Sequence, residues 1–280
     1  MTPRRLQLSV AAVFCTFFLH AQQLTIATYN LRYDNPKDSG NLWVNRMPVV
    51  AALIRFHDFD IFGTQEGLKN QLDDISAALP QYERVGVGRD DGKDKGEHSA
   101  IFYKKDEFNL LTKGDFWLSQ TPDKPGLGWD ATCCHRICSW VYLQHIKSRK
   151  KFYFFNAHYD HQGTKARIES SKLILQKIKE IAGDNRVIFT GDLNGSHSSE
   201  WYRYMATSGL LKDTHYEVKY PYANNASFNA FGSTKGSYDI IDHIFVSSHF
   251  TTTKWGVLTD TYHGKYPSDH FPVLAEITIK

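Results

Sequence analysis

The stretch FYFFNAHYDHQGTKAR, residues 152–167, runs from bulky β-formers into a dense polar cluster and then into helix-forming sequence. The aromatic run reads as the end of a buried strand, Lys151 to His158. Beyond it, Thr164 to Ile181 carries apolar residues at helical spacing and reads as an amphipathic helix. A strand, a polar group at its end and a returning helix together make an α/β unit. Reactive groups are commonly carried on the loops of such a rigid scaffold.

The same arrangement recurs on either side. The apolar run VIFT, 187–190, ends in Gly191-Asp192-Leu193-Asn194, and LTIATY, 24–29, ends in Asn30. DIFGT, 60–64, ends in Gln65-Glu66, and Ser268-Asp269-His270 precedes the strand-like FPVLAEI. Asp242 lies within YDIIDHIFV, 238–246. Further strands are expected at Tyr82 to Val87, Ser99 to Tyr103, Ile137 to Ile146, Thr252 to Leu258 and Phe271 to Ile279. Helices are expected at Asn45 to Phe56 and Leu68 to Leu79. Gly88 to His98 reads as a polar loop and Tyr216 to Lys235 as an aromatic-rich loop. Strands outnumber helices, and the hairpin of 137–146 with 151–158 is mixed with crossovers. That pattern predicts an α/β protein with mixed sheets rather than one doubly wound parallel sheet.

Composition sets the outer limits. The 280 residues are 41% hydrophobic and 22% charged, ordinary for a globular chain, and hold 18 Phe, 15 Tyr and 6 Trp. Arg4 and Arg5, the charge-free apolar stretch Leu8 to Leu19 and the polar exit His20-Ala21-Gln22-Gln23 predict a signal peptide over residues 1–21. The apolar stretch is too short to span a membrane. Export to the periplasm or beyond the cell is therefore expected, with one domain over residues 22–280. Without the two arginines the formal charge falls from +3 to about +1. No basic face or tail marks a dedicated nucleic-acid binder. Cys133, Cys134 and Cys138 would remain; an exported chain can oxidise two of them, and three leave at least one unpaired. A zinc site at that cluster lacks a second ligand pair at the usual spacing.

Each polar cluster alone has an ordinary structural reading. An Asn after a strand is a turn residue, Gly-Asp-x-Asn is a good Asx-turn, and a Glu before a helix serves its dipole. A single histidine is most often a hydrogen-bonded structural residue. In this order the clusters are far more specific. With NAHYDHQGTKAR and the FWLS…TPDKPG…GWD stretch at Phe116 to Asp130, they resemble the endonuclease/exonuclease/phosphatase (DNase I-like) superfamily, and especially its secreted bacterial members, from about Leu24 to Lys280.

The resemblance implies a four-layer sandwich, two mixed β-sheets face to face with helices outside, and an active site where loops of both sheets meet. It implies a metal-dependent hydrolase of phosphodiesters or phosphomonoesters, with Mg²⁺ as cofactor and Mn²⁺ as the alternative. Glu66 would be the principal metal ligand, with Asn30 beside it and Asp269 completing the neighbourhood. Asp192 would orient and deprotonate the attacking water, and Asn194 would hold that water or a phosphoryl oxygen. His158 and His270 would stabilise phosphoryl oxygens, with Asp242 orienting His270. The Asp160-His161 pair departs from the pattern of AP endonucleases and DNase I. Asp160, His161 and Arg167 are therefore candidates for substrate binding, although Asp160 and Arg167 could equally pair with each other. Asn229, in a stretch where relatives carry a substrate-facing aromatic loop, is a further candidate.

The expected substrate is a phosphorylated small molecule, a phospholipid head group or nucleic acid, and no protein partner is implied. Near-neutral charge and export weigh against long DNA and against DNA repair. Two other readings compete: a binding module on a degenerate phosphoesterase scaffold, and a secreted glycosidase using paired carboxylates. The glycosidase leaves Asn194 and Asp269-His270 unexplained.

Overall fold

The computed structural model describes residues 23–223, 225–233 and 239–280. The expected signal peptide lies outside these residues, as do Tyr238 at the head of one expected strand and the end of the aromatic-rich loop. In chain order the elements are β1 (Gln23–Asn30), α1 (Trp43–His57), β2 (Ile61–Gln65), α2 (Lys69–Ala78), β3 (Tyr82–Val85), β4 (Ile101–Lys104), β5 (Phe108–Trp117) and β6 (Ile137–His145). Then follow β7 (Lys151–His158), α3 (Thr164–Ala182), β8 (Val187–Asp192), α4 (Glu200–Ala206), β9 (Lys212–Asp213), α5 (Thr214–Glu217), β10 (Asp242–Val246), β11 (Phe250–Val257) and β12 (Val273–Ile279).

The strands form two six-stranded mixed sheets among the described residues. Their orders are β11-β12-β1-β2-β4-β3 and β5-β6-β7-β8-β10-β9. Each holds one parallel pair, β1 with β2 and β7 with β8, beside antiparallel neighbours. The α/β sandwich of mixed sheets expected from the sequence is the fold observed.

Side-chain alternation along the central strands builds the layers. Leu24 and Ile26 of β1 meet Phe152 and Phe154 of β7, Ile188 of β8 and Ile244 of β10 in the core between the sheets. The intervening residues face outward. Ala27 and Tyr29 pack under α1 and α2, and Tyr153, Phe155 and Phe189 pack under α3 and α4.

Four elements were not expected from the sequence, the short β9 and α5 among them. The sequence reading had no strand at 108–117 and no helix at 200–206. β5 is an edge strand whose middle is exposed, so it lacks the alternation that marks a half-buried strand. α4 has only seven residues, too few to display a helical period.

Candidate active site

The inward-facing positions of the central strands change character toward one end of the sandwich. Ile26 gives way to Thr28 and Asn30, Phe154 to Asn156 and His158, and Ile188 to Thr190 and Asp192. On antiparallel β10 the progression from Ile244 ends at Asp242. Strand register then sets these groups side by side: His158 opposite Asp192, and Asp192 opposite Asp242. Under them lies a polar layer that ties the sheets together. Gln65 Nε2 donates to Thr28 Oγ1 at 3.0 Å and to Asn156 Oδ1 at 2.7 Å, and Asn156 Nδ2 donates to the Thr64 carbonyl at 2.8 Å. All of these side chains are buried and make hydrogen bonds, with Gln65 Oε1 left without a partner.

Three residues beyond strand ends adopt left-handed backbone: Arg32 (φ 54°), Glu66 (φ 62°) and Asn194 (φ 46°). Such φ values are uncommon for residues with a side chain and cluster at functional sites. Glu66 immediately follows β2, and the left-handed turn lets its side chain reach Asn30 rather than continue the strand alternation.

The groups converge as follows. Asn30 Nδ2 donates to Glu66 Oε1 at 3.1 Å and to Asp192 Oδ2 at 3.0 Å, while Asn30 Oδ1 accepts from the Arg32 amide at 3.0 Å. Asp192 Oδ1 accepts from the Asn194 amide at 2.8 Å. Burial, reinforced by the Asp242 charge and opposed by His270, pushes the Asp192 carboxyl up to about 7. His270 Nδ1 meets Asp242 Oδ2 at 2.8 Å, and its Nε2 lies 3.9 Å from Asp192 Oδ2. Burial alone would lower His270, but the Asp242 carboxylate beside it prevails and raises it to about 10. His158 is held well below the usual histidine range by burial and by the Arg136 and Arg89 guanidinium groups. The Asn194 amide nitrogen donates to the Tyr159 carbonyl at 3.0 Å and meets His158 Nε2 at 3.2 Å. Because that nitrogen can only donate, His158 Nε2 is the acceptor and its proton resides on Nδ1, which faces Glu97 Oε2 at 3.7 Å.

These groups open on a cavity of about 660 Å³, in the range of small-molecule sites. Glu66, His158, Asp192, Asn194, Asp269 and His270 line it together with Arg89, Arg136 and the joined pair Cys133–Cys134. Cys138 is the buried free thiol. Among the expected substrate-binding residues, His161 borders the cavity, its Nδ1 accepting from Arg136 Nη2 at 2.8 Å. Asp160, Arg167 and Asn229 are placed behind the wall. The Asp160 carboxylate accepts from the Gln162 and Gly163 amides at 2.8 and 2.6 Å and lies 3.6 Å from Arg136 Nε. Arg167 touches the Asp160 carbonyl, not its carboxylate, and stacks at 4.3 Å over Trp201. Trp201 in turn donates to the Leu193 carbonyl at 2.9 Å. Asn229 braces the Ser268-Asp269 turn: its backbone amide donates to the Asp269 carbonyl at 2.7 Å and its Nδ2 to the Ser268 carbonyl at 3.2 Å. Its neighbour Phe228 reaches the cavity and packs edge-on against His270, with ring centroids 5.0 Å apart.

The donor set fits a hard cation. Burial pushes the Asp269 carboxyl up to about 6, with His270 opposing and the Glu66 charge adding to the rise. The Glu66 and Asp269 carboxylates both line the cavity, so an ion there would meet oxygen donors. All-oxygen donors suit Mg²⁺ or Mn²⁺. Asp192, Asp242 and His270 also bring ligand atoms within 4.8 Å of one another. There, however, His270 Nδ1 is committed to Asp242.

Sequence reading missed Arg32, Arg89, Glu97 and Arg136. Arg89 and Glu97 come from the polar loop 88–98 and form a two-point pair at 2.6 and 2.8 Å. A reciprocal charge pair at the two ends of that loop was the available signal. Arg136 directly precedes β6, the same strand-end context that marked the other candidates.

Comparison with known proteins agrees with this architecture. The model of a family described as Endonuclease/Exonuclease/phosphatase matches residues 27–270. The chain is 48% identical to an endonuclease/exonuclease/phosphatase family protein of Bacteroides thetaiotaomicron, with a TM-score of 0.90 over 93% of this chain and 99% of that one. It is also 48% identical to a mannosyl-6-phosphatase of Bacteroides thetaiotaomicron, with a TM-score of 0.89 over 91% of this chain and 100% of that one. An uncharacterized protein (L388) of Acanthamoeba polyphaga mimivirus is 29% identical over 161 residues, 54% of this chain and 59% of that protein. A second such mimivirus protein is matched over 30% of its length.

Proposed function

The chain belongs to the endonuclease/exonuclease/phosphatase family, and from that premise we propose that it is an exported, Mg²⁺-dependent phosphomonoesterase acting on a phosphorylated sugar. Membership of the family makes it a phosphoesterase. The carrying observation for a small monoester is a cavity of about 660 Å³, of small-molecule size, lined by Asp192 and His270. A solved structure 48% identical over its whole length is a mannosyl-6-phosphatase, which supports a sugar phosphate as the substrate class. Export fits the leader-like residues 1–21 and the oxidised Cys133–Cys134 pair.

In this reading Glu66 and Asp269 hold the ion, and Asn30 fixes Glu66 relative to Asp192. When bound, Mg²⁺ supplies the Lewis acidity that neutralises charge growing on the phosphoryl and leaving-group oxygens. Asp192 orients a water molecule and takes its proton. A carboxyl raised to about 7 is well matched to that exchange near neutral pH. His270, kept cationic by Asp242, donates to a phosphoryl oxygen as negative charge develops. Asn194 gives both its side-chain amide hydrogens to the Tyr159 carbonyl and neutral His158, which leaves its carbonyl oxygen to accept from the attacking water. His161 and Arg136 face the part of the substrate beyond the phosphate.

The test is a hydrolysis screen of residues 22–280. Mannose 6-phosphate, p-nitrophenyl phosphate and bis-p-nitrophenyl phosphate are each assayed with Mg²⁺, with Mn²⁺ and with chelator, beside Asp192→Asn. Metal-requiring turnover that favours the monoesters and falls about 10²–10⁴-fold in the variant is the expected result. Diester preference would overturn the monoester reading, and chelator-insensitive turnover would overturn the metal.

A further inference from the structure

Among the cavity residues without a role in hydrolysis are Cys133 and Cys134, neighbours in sequence that are bonded to each other. Both residues line the cavity that holds Asp192 and His270. Their position is held from both flanks. Before them, the Asp130 carboxylate accepts from the Lys165 and Ala166 amides at 3.0 and 2.6 Å, which fastens the segment to the start of α3. After them, the Leu118 amide donates to the Arg136 carbonyl at 2.8 Å. Beside them, the Thr132 hydroxyl bonds to the side chain of Gln162, itself a cavity residue.

The chemistry of this wall differs from that of its surroundings. A disulfide carries no N–H or O–H, accepts hydrogen bonds poorly and is polarisable. Closed between adjacent residues, it also fixes the backbone that joins them. The same cavity presents charged and hydrogen-bonding groups, Arg89, Glu97, Arg136, His161 and Gln162 among them, besides the apolar Phe228 and Ile241 and the ring of Tyr33. An apolar, rigid plate in a cavity that also holds these polar groups matches a ligand with one apolar face and a polar edge. A pyranose has that form: its C–H face seeks apolar contact, while its hydroxyl groups seek the donors and acceptors around it.

We propose that the Cys133–Cys134 disulfide forms the subsite on which the C–H face of the phosphorylated sugar rests, so that the bond determines preference for a sugar ring over other phosphomonoesters. This rests on the sugar-phosphate reading above and adds the residues that recognise the ring.

The experiment compares kcat/KM for mannose 6-phosphate with that for glycerol 2-phosphate, which has no ring face. The mature chain is assayed as the oxidised wild type, as Cys133→Ser/Cys134→Ser and as wild type reduced with a phosphine, and mass spectrometry confirms the state of the bond. The ratio should fall about five- to tenfold in the variant and on reduction, the order expected for losing a few tens of Å² of apolar contact. The fall should reside in KM for the sugar phosphate, and reoxidation of the wild type should restore it. The reduced wild type keeps the test open where the variant does not fold. An unchanged ratio, an equal loss on both substrates, or free thiols in the oxidised mature protein would each overturn the proposal. Wild type that cleaves glycerol 2-phosphate but no sugar phosphate would instead sink the sugar-phosphate reading, and the platform with it. The two failures are therefore told apart by the wild-type arm alone.

Discussion

Asp242 is placed to touch His270 rather than substrate. Its Oδ2 holds His270 Nδ1 at 2.8 Å, and its Oδ1 is buried with no hydrogen-bond partner. That one bond fixes the ring's orientation and its charge. Asp242→Asn keeps the shape but removes the charge, so it should lower kcat about 10²–10³-fold with KM little changed. His270→Gln should cost about as much. The double variant should cost little more than either single one, because the two residues act as a unit. Additive losses in the double variant would show that they act separately. The family resemblance made this pair legible, with Asp242 within one apolar run and His270 at the head of another. It could not show which side chains behind the cavity merely brace it. Asp160, Arg167 and Asn229 have the right residue types for substrate contact. Only their actual neighbours, the 162–163 amides, Trp201 and the 268–269 turn, show them as supports.

At the scale of elements, the approach of β2 to β7 and β8 depends on Gly63. A Cβ there would run into the Asn156 amide and the Thr190 hydroxyl. Those atoms belong to the polar layer, which cannot shift without breaking its own bonds. Gly63→Ala should therefore destabilise the protein by about 1–3 kcal/mol, the usual range for overpacking a core. Urea unfolding would measure it, and a midpoint equal to that of wild type would show that the layer is softer than its geometry indicates. The central strands were legible because their two faces are both buried and rich in β-formers. β5 was not, because an exposed edge strand looks like a loop in sequence. The polar layer was also hidden. Thr28, Gln65, Asn156 and Thr190 are distant in sequence and meet only when the sheets dock.

At the scale of the whole molecule, Asp213 ties together segments behind the site. Its Oδ2 accepts from the Tyr202 hydroxyl of α4 at 2.7 Å and lies 3.5 Å from His197 Nε2 and 3.7 Å from His243 Nδ1. His243 Nε2 in turn reaches the Gly195 carbonyl, next to Asn194, at 2.9 Å. Burial alone would raise the Asp213 carboxyl, but His197, His243 and Tyr202 outweigh it and hold the group below the usual carboxylate range. A depressed carboxyl contributes stability that is fully present above its unfolded pKa of about 3.9 and is lost as pH falls through the folded value. Asp213→Asn should cost about 3 kcal/mol at pH 7, in line with breaking a buried charged network. The gap between variant and wild type should begin to narrow below about pH 4 and close only as pH falls through the still lower folded value. A gap of the same size at pH 7 and at pH 2 in thermal melts would overturn the assignment. Finally, the reacting groups are divided between the sheets. Asn30 and Glu66 belong to the first, with Asp269 and His270 leading into its β12, while His158, Asp192 and Asp242 belong to the second. The bonds from Asn30 to Asp192 and from His270 to Asp242 cross the gap between them. Hydrolysis thus acts as a proofreader of assembly. A chain that has formed either sheet but not docked the pair carries every necessary residue and stays catalytically silent until the two halves close on each other.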